Sequence, residues 1–160
     1  VVCVDGGMRL LSITDDGNGI KAIDLPLACR RFATSKLVRF DDLKSIQTFG
    51  FRGEALASAS MVSRLSISSK RRTNIDPNKT STTQEGGFSQ VCAYKMSYLD
   101  GAPINSNPTP CAGNFGTIVK VEDLFYNVPH RRRAFQRKQT EEYNHVLKVC
   151  ERYAIHMASR

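Results

Sequence analysis

The 160-residue sequence has no apolar run near the roughly 18 residues that a membrane-spanning helix needs, and no charged segment followed by a hydrophobic one at its N-terminus. Neither a transmembrane helix nor a secretory leader is expected, and the chain reads as a soluble intracellular protein with no membrane partner. Its five cysteines, Cys3, Cys29, Cys92, Cys111 and Cys150, include no Cys-x-x-Cys pair. His130, His145 and His156 fall at no metal-ligand spacing with the cysteines or with one another. A disulfide framework and a zinc site are therefore disfavoured, and reduced thiols are expected. No repeat, coiled-coil or collagenous pattern is present, so a chain that is 41% hydrophobic reads as one domain or most of one. An initiator methionine is also missing. The sequence opens on Val1-Val2-Cys3-Val4 as a strand already under way, which predicts a fragment of a longer protein.

What is abundant is positive charge. Lysine and arginine number 23 against 15 acidic residues, for a net charge of +8 and a pI near 9.5. Such a balance favours anionic partners, nucleic acids and nucleotides among them, because binding releases their condensed counterions. The plain alternative is solubilising surface charge. Clustering tips the reading toward a partner: Lys70-Arg71-Arg72 forms one knot, and Arg131-Arg132-Arg133 with Arg137 and Lys138 forms another beside Phe135 and Tyr126-Asn127.

Two β-type runs, residues 1–4 and 8–14, are joined by Asp5-Gly6-Gly7, a hairpin signal. Asp24 and Leu25-Pro26 ahead of residues 27–32 supply the carboxylate and early proline of a helix start. Residues 34–36 read as loop and 41–46 as a further helical turn. A helix is predicted over 54–62, then a half-buried strand over 64–69, where Leu65 and Ile67 alternate with polar neighbours. Its partner is expected within 87–98. Residues 71–84, rich in Thr, Ser, Asn and Pro, predict a surface loop, and 100–101 with 103–110 a second one. Residues 116–124 alternate as a strand with Thr117, Val119 and Val121 on one side. Tyr143, Val146, Leu147, Cys150, Tyr153, Ala154 and Met157 recur at helical spacing, predicting a long amphipathic helix. Strands joined largely by hairpins and mixed with helices predict an α/β sandwich, a mixed sheet covered by helices on one face.

Two constellations carry chemistry. Asp15-Asp16-Gly17-Asn18-Gly19-Ile20 places a carboxylate at a strand end, able to accept from the amino group of adenine, with glycines that let backbone pass close to a base. A plain turn or a calcium loop has similar composition, although the distal glutamate of a calcium loop is missing. Thr48-Phe49-Gly50-Phe51-Arg52-Gly53-Glu54-Ala55-Leu56 is a glycine-bracketed turn running into a helix, which aims unpaired N–H groups at one spot suited to phosphate. An ordinary capped helix with a solvated Arg52 is the alternative. The turn is neither a P-loop, lacking Gly-Lys-Ser/Thr, nor a Gly-x-Gly-x-x-Gly dinucleotide fingerprint.

Asp15-x-Gly17-x-Gly19, Gly50-Phe51-Arg52-Gly53-Glu54-Ala55-Leu56 and Gly116-Thr117 resemble the second, third and fourth motifs of the GHKL ATPase superfamily of gyrase, heat-shock chaperones, histidine kinases and MutL. With Asp123-Leu124-Phe125-Tyr126-Asn127-Val128-Pro129 and the arginines that follow, the match narrows to the MutL family of DNA mismatch repair proteins. Phe32-Ala33-Thr34-Ser35-Lys36, Pro110-Cys111-Ala112-Gly113-Asn114 and Val121-Glu122-Asp123-Leu124 are most similar to its eukaryotic MutL homologue 1 branch, the shared subunit of the heterodimers. The resemblance spans nearly the whole chain, with 71–84 as the main unmatched part.

The resemblance implies the left-handed, two-layer GHKL or Bergerat sandwich and an ATP site. In it Asp15 would bind adenine, Gly17 and Gly19 would shape the base pocket, and Thr117 would support Asp15. Gly50, Arg52, Gly53, Glu54, Ala55 and Leu56 would hold phosphates, and Thr34, Ser35 and Lys36 would belong to a lid ordered by nucleotide. Arg131, Arg132, Arg133, Arg137 and Lys138 would contact DNA. Asp16 stands where the family usually has Asn. By the same resemblance the general-base Glu and the Mg2+-binding Asn of the first motif lie upstream of residues 1–160, and the γ-phosphate Lys lies downstream. These residues would then be a partial N-terminal ATPase domain, inactive alone, with Glu54 structural and not a base. Implied partners are a second MutL-type subunit, a MutS-type mismatch-recognition complex and DNA, in the nucleus. Alternatives are a non-enzymatic nucleic-acid-binding module and another GHKL ATPase such as a type II topoisomerase.

Overall fold

The computed structural model describes residues 1–37, 39–44, 50, 52–72, 87–88 and 91–158. Strands β1 (Val2–Val4) and β2 (Leu10–Asp15) form the expected hairpin, closed by a 3-10 turn at Asp5–Gly7 in which Gly6 has a φ of 65°. The helix expected after Asp24 is instead a 3-10 segment, Ala22–Leu27, continued by turns in which Ala28, Arg30 and Ala33 each bond three residues back. The Leu25 carbonyl, which would close the first α-helical bond, is taken by the Ala28 N–H three residues on and by the Tyr98 hydroxyl, which favours the tighter turn. A second 3-10 segment, Phe40–Lys44, covers the described part of the turn expected at 41–46. Helix α1 (Ala55–Ser60) leads into β3 (Arg64–Lys70), and β4 (Ala93–Leu99) pairs with β3 antiparallel.

Within the stretch predicted as loop, β5 (Ala102–Pro103) and β6 (Thr109–Cys111) each pair with β4. They are too short for a period to show, and their prolines are tolerated because they flank an edge. Strand β7 (Gly116–Glu122) follows, then α2 (Pro129–Arg137) and α3 (Gln139–Met157). The loop expected over 71–84 lies outside the described residues from 73 onward.

Every ladder among the described residues is antiparallel, in the order β1-β2-β7-β3-β4-β5 with β6 also on β4. This corrects the mixed sheet expected from the sequence. Strands β2 and β3 do run parallel, but β7 inserts between them and turns a parallel neighbourhood into two antiparallel ladders.

Register then sorts the side chains, because cross-strand partners share a face. One face carries Leu11, Val121, Leu65 and Tyr98 in a row, then Ile13, Val119, Ile67 and Met96, then Asp15, Thr117, Ser69 and Tyr94. The opposite face carries Ser12, Lys120, Ser66 and Ser97. The core forms on the first face, where Leu65, Ile67, Met96 and Tyr98 meet Leu25 and Cys29, with Leu56 and Ala59 of α1 packed alongside. Helix α3 lies against the Asp5–Gly7 turn, and its Tyr143, Leu147, Tyr153 and Ile155 stay exposed, as does Ile13 of β2.

Tyr98 and Cys29 anchor this core. Tyr98 is the largest fully buried side chain, and its hydroxyl donates to the Leu25 carbonyl, so a strand and a 3-10 segment share one buried bond. Burial raises its pKa, which keeps the donor proton in place. Tyr98→Phe removes that bond while the Leu25 carbonyl keeps the Ala28 N–H, and is expected to cost about 0.5–1.5 kcal/mol. Urea unfolding should show a lower midpoint at an unchanged slope. An unshifted midpoint would mean the bond contributes nothing.

Burial pushes the Cys29 thiol up to about 12, with a Ser60 hydrogen bond opposing the shift. The native state therefore holds this proton more tightly than the unfolded chain. Its stabilising contribution is complete below the ordinary value of 9.0 and is lost as pH rises toward about 12. Because the thiolate is the reactive form, iodoacetamide at pH 8 should modify Cys29 only on unfolding, as read by peptide mass mapping.

Candidate functional site

The polar row that ends the apolar face is built by glycines. Asp15 closes β2, and its Oδ1 accepts the Gly17 N–H at 2.9 Å, folding the carboxylate over its own turn. Gly116, with a φ of 110°, lets β7 begin beside β2, where a Cβ would stand 2.1 Å from the Asp15 carbonyl. Gly19, with a φ of 72°, passes the end of β3 where a Cβ would stand 2.4 Å from the Lys70 carbonyl. Backbone and side-chain bonds sew the 16–20 loop to that strand end. Arg72 N–H donates to the Asn18 carbonyl at 2.9 Å, the Arg72 guanidinium to the Asp16 carbonyl at 3.0 Å, and Ile20 N–H to Ser69 Oγ at 2.8 Å. Asp15, Gly17, Gly19 and Thr117, picked from widely separated stretches, are thus brought together.

A second cluster forms around α1. Gly53 has a φ of 64° and packs on the Ala33 backbone, where a Cβ would lie 2.2 Å from the carbonyl oxygen. Glu54 pairs with Arg31 at 3.2 Å, and both side chains are well exposed. The first α1 bond runs from Ser58 N–H to the Glu54 carbonyl at 2.8 Å, so Ala55, Leu56 and Ala57 have no acceptor within the helix. Lys36 Nζ would lie 4.0 Å from a Cβ on Gly50, and Lys36 N–H donates to Thr34 Oγ1 at 3.2 Å. Lys36 therefore lies near Gly50, and Thr34 follows the Ala33 backbone on which Gly53 packs. Phe51 and residues 45–49 of this motif lie outside the described residues. The two clusters share a support, since Ile20 and Leu56 both pack against the Leu25–Tyr98 core.

The Asp123–Pro129 motif acts as a clasp. Phe125 N–H donates to the Val62 carbonyl at 2.6 Å and Asn127 Nδ2 to the Met61 carbonyl at 2.9 Å, closing the end of α1. Leu124 N–H and Asp123 N–H reach the Met8 and Arg9 carbonyls of the hairpin, and Asp123 pairs with Arg64 at 3.6 Å. The basic residues after it do not share one face. Arg131 stacks on Phe125, with its guanidinium carbon 4.4 Å from the ring centroid, and Lys138 pairs with Glu141 at 3.2 Å. Arg132 is half-buried, whereas Arg133 and Arg137, four residues apart on α2, are exposed on adjoining positions. Helix α2 itself was not foreseen; Pro129 at its first turn was the available signal. Ser69 was also missed, although a serine on the core face of β3 after Leu65 and Ile67 marks the change from apolar to polar. Among the described residues no group of three or more His, Cys, Asp or Glu could hold a metal ion.

No family model matches the chain. It is similar to the DNA mismatch repair protein MLH1 of Saccharomyces cerevisiae, 45% identical over 156 residues that span 98% of this chain and 18% of that protein. Among solved structures it is similar to the N-terminal domain of a DNA repair protein, with a TM-score of 0.64 and 30% identity over 94% of this chain and 39% of that one. The fold is shared with the Aquifex aeolicus MutL ATPase domain solved with ADP, with a TM-score of 0.53 and 24% identity over 91% of this chain and 43% of that one. The chain thus spans under half the length of each of these proteins. An antiparallel sheet with helices on it, the glycine turns at 15–19 and 53, and these likenesses converge: the chain belongs to the MutL/MLH1 family of DNA mismatch repair proteins.

Proposed function

We propose that the chain is the ATP-binding part of a mismatch repair protein and has the left-handed GHKL sandwich fold. The single observation that carries the reading is the meeting of Asp15, Thr117 and Ser69 in one polar row at the end of the core face, reached through glycine-only backbone approaches. In the reading Asp15 accepts from the adenine amino group, Gly17 and Gly19 give the base room, and Thr117 supports the contact. Phosphate oxygens are held by Arg52 and by backbone N–H groups of Gly53, Glu54, Ala55 and Leu56, with Gly50 opening the turn. Thr34, Ser35 and Lys36 close over the phosphates as a lid. The donor sets fit such a ligand, acceptors gathering at the Asp15 end and N–H groups at the Gly53 end.

Hydrolysis needs a base to activate water and Mg2+ to neutralise the transferring phosphoryl group. Both are assigned to residues outside 1–160, as is the γ-phosphate lysine, which makes the chain a partial domain that is inactive alone. The exposed Ile13, Tyr143 and Leu147 support a further covering segment. ATP binding would order the lid and dimerise the N-terminal domain with a second MutL-type subunit. Hydrolysis would reopen the clamp, coupling recognition by a MutS-type complex to strand removal in the nucleus. Membership of the MLH1 family and the high positive charge support these roles.

In the longer protein proposed to contain this chain, Asp15→Asn should weaken ATP binding about 10- to 100-fold, the loss of a hydrogen bond to a charged acceptor, as measured by calorimetry. Arg52→Ala should weaken it as well. Unchanged affinity in both variants would remove the reading.

DNA binding is assigned to Arg131, Arg132, Arg133, Arg137 and Lys138, with Arg133 and Arg137 making the phosphate contacts. Replacing both with glutamine should flatten the plot of log affinity against log salt concentration by about 0.9 per charge removed. Salt-sensitive DNA binding indifferent to ATP and to Arg52→Ala would instead favour a non-enzymatic nucleic-acid-binding module.

A further inference from the structure

The Ser69 hydroxyl has three partners and one proton. It lies 2.9 Å from the Gly116 carbonyl and 3.0 Å from Thr117 Oγ1, and it accepts the Ile20 N–H at 2.8 Å. A carbonyl oxygen cannot donate, so the short contact with Gly116 requires the Ser69 proton; otherwise two lone pairs would face each other. The Ile20 N–H uses one acceptor position of Ser69. The remaining contact is then made by the Thr117 hydroxyl donating to Ser69. Ser69 and Thr117 are both more than nine-tenths buried, so no bulk water competes for these bonds. Thr117, its proton committed, offers only lone pairs toward its cross-strand neighbour Asp15.

We propose that Ser69 is a positioning residue that holds Thr117 as an acceptor, so that the row selects a ligand edge bearing an exocyclic amino group. The inference rests on the ATP-binding reading and deepens it: base selection comes from an oriented hydroxyl as well as from the Asp15 carboxylate. Ser69 also pins Ile20, and with it the Gly17–Gly19 turn, to the end of β7, so one hydroxyl sets both the height of the loop and the polarity of the pocket.

Purine riboside triphosphate tests this, because it lacks only the amino group of ATP. In the longer protein proposed to contain this chain, the wild type should bind ATP more tightly than this analogue by the about 10- to 100-fold of the Asp15 bond and by about a further fivefold from Thr117, the worth of an ordinary hydrogen bond. Ser69→Ala releases the Thr117 proton, which can then turn toward the unprotonated ring nitrogen, and the ratio should fall about fivefold, to the share that Asp15 supplies. Ser69→Thr should restore the ratio. Thr117→Val, which has no hydroxyl to orient, should lower it by about the same fivefold even if Ser69→Ala fails to fold. A merely structural Ser69 would weaken both nucleotides equally and leave the ratio intact, and that result would overturn the inference alone. Failure of the wild type to bind either nucleotide would overturn the ATP reading with it.

Discussion

Strand β7 is the constraint on which the molecule depends. It is hydrogen-bonded along both edges, to β2 from Leu10 to Asp15 and to β3 from Arg64 to Lys70, so it joins the N-terminal hairpin to the strands that carry the core. The join is possible because Gly116 has no side chain where β7 enters beside the Asp15 carbonyl. Any Cβ there would force the two strands apart at the row that holds Asp15, Thr117 and Ser69. Packing and site chemistry thus rest on the same contact, and a change that loosens one loosens the other.

The sheet face changes character over a single register step, from Val119 and Ile67 to Thr117 and Ser69. Burying a hydroxyl without a partner costs about 1–3 kcal/mol, comparable with what one buried aliphatic side chain contributes. Reciprocal bonding among Ser69, Thr117, Gly116 and Ile20 offsets that cost, so polar residues close the core without opening a weak point. The other end of the layer is closed in the same way. Met61 and Val62 expose carbonyls at the end of α1, and Asn127 and Phe125 supply the donors. Asp123 and Phe125 take positive φ values of 52° and 61° to do so, and their strain is held by bonds to three separate elements.

Much of this was legible because period two and glycine placement are local signals. Leu65 and Ile67 declared β3, and Thr117, Val119 and Val121 declared the core side of β7. Asp5-Gly6-Gly7 declared the first hairpin. Gly17, Gly19 and Gly53 stood out before any fold was known; Gly19 and Gly53 prove to lie at backbone approaches too close for a side chain, and Gly17 faces the Asp15 carboxylate. The misses are those in which distant partners decide. Residues 102–103 and 109–111 are strands only because β4 offers them an edge. The segment after Asp24 has helical composition, yet the bond from Tyr98 to the Leu25 carbonyl favours 3-10 turns. Ser69 shares the core side with Leu65 and Ile67 by period, but its partners Gly116, Thr117 and Ile20 are distant in sequence. Phe125 engages Arg131, Glu141 engages Lys138 and the Pro129 carbonyl engages Arg133, contacts that no local pattern announces.

The placement of donors and acceptors gives the proposed site a direction. The Asp15 end offers lone pairs from a carboxylate and an oriented hydroxyl, so it suits hydrogen-bearing nitrogen and repels phosphate. The Gly53 end offers N–H groups of a helix start together with Arg52, so it suits phosphate oxygen and gains nothing from an amino group. A ligand with an amine at one end and phosphates at the other has one favourable orientation across these two ends. Glu54 is the carboxylate nearest the phosphate end, and its bond to Arg31 sets its part. An exposed pair of this kind is worth about 0–1 kcal/mol, too little to shape the fold. Its geometry sets the carboxylate beside the Arg31 turn, next to the approach of Gly53 to Ala33.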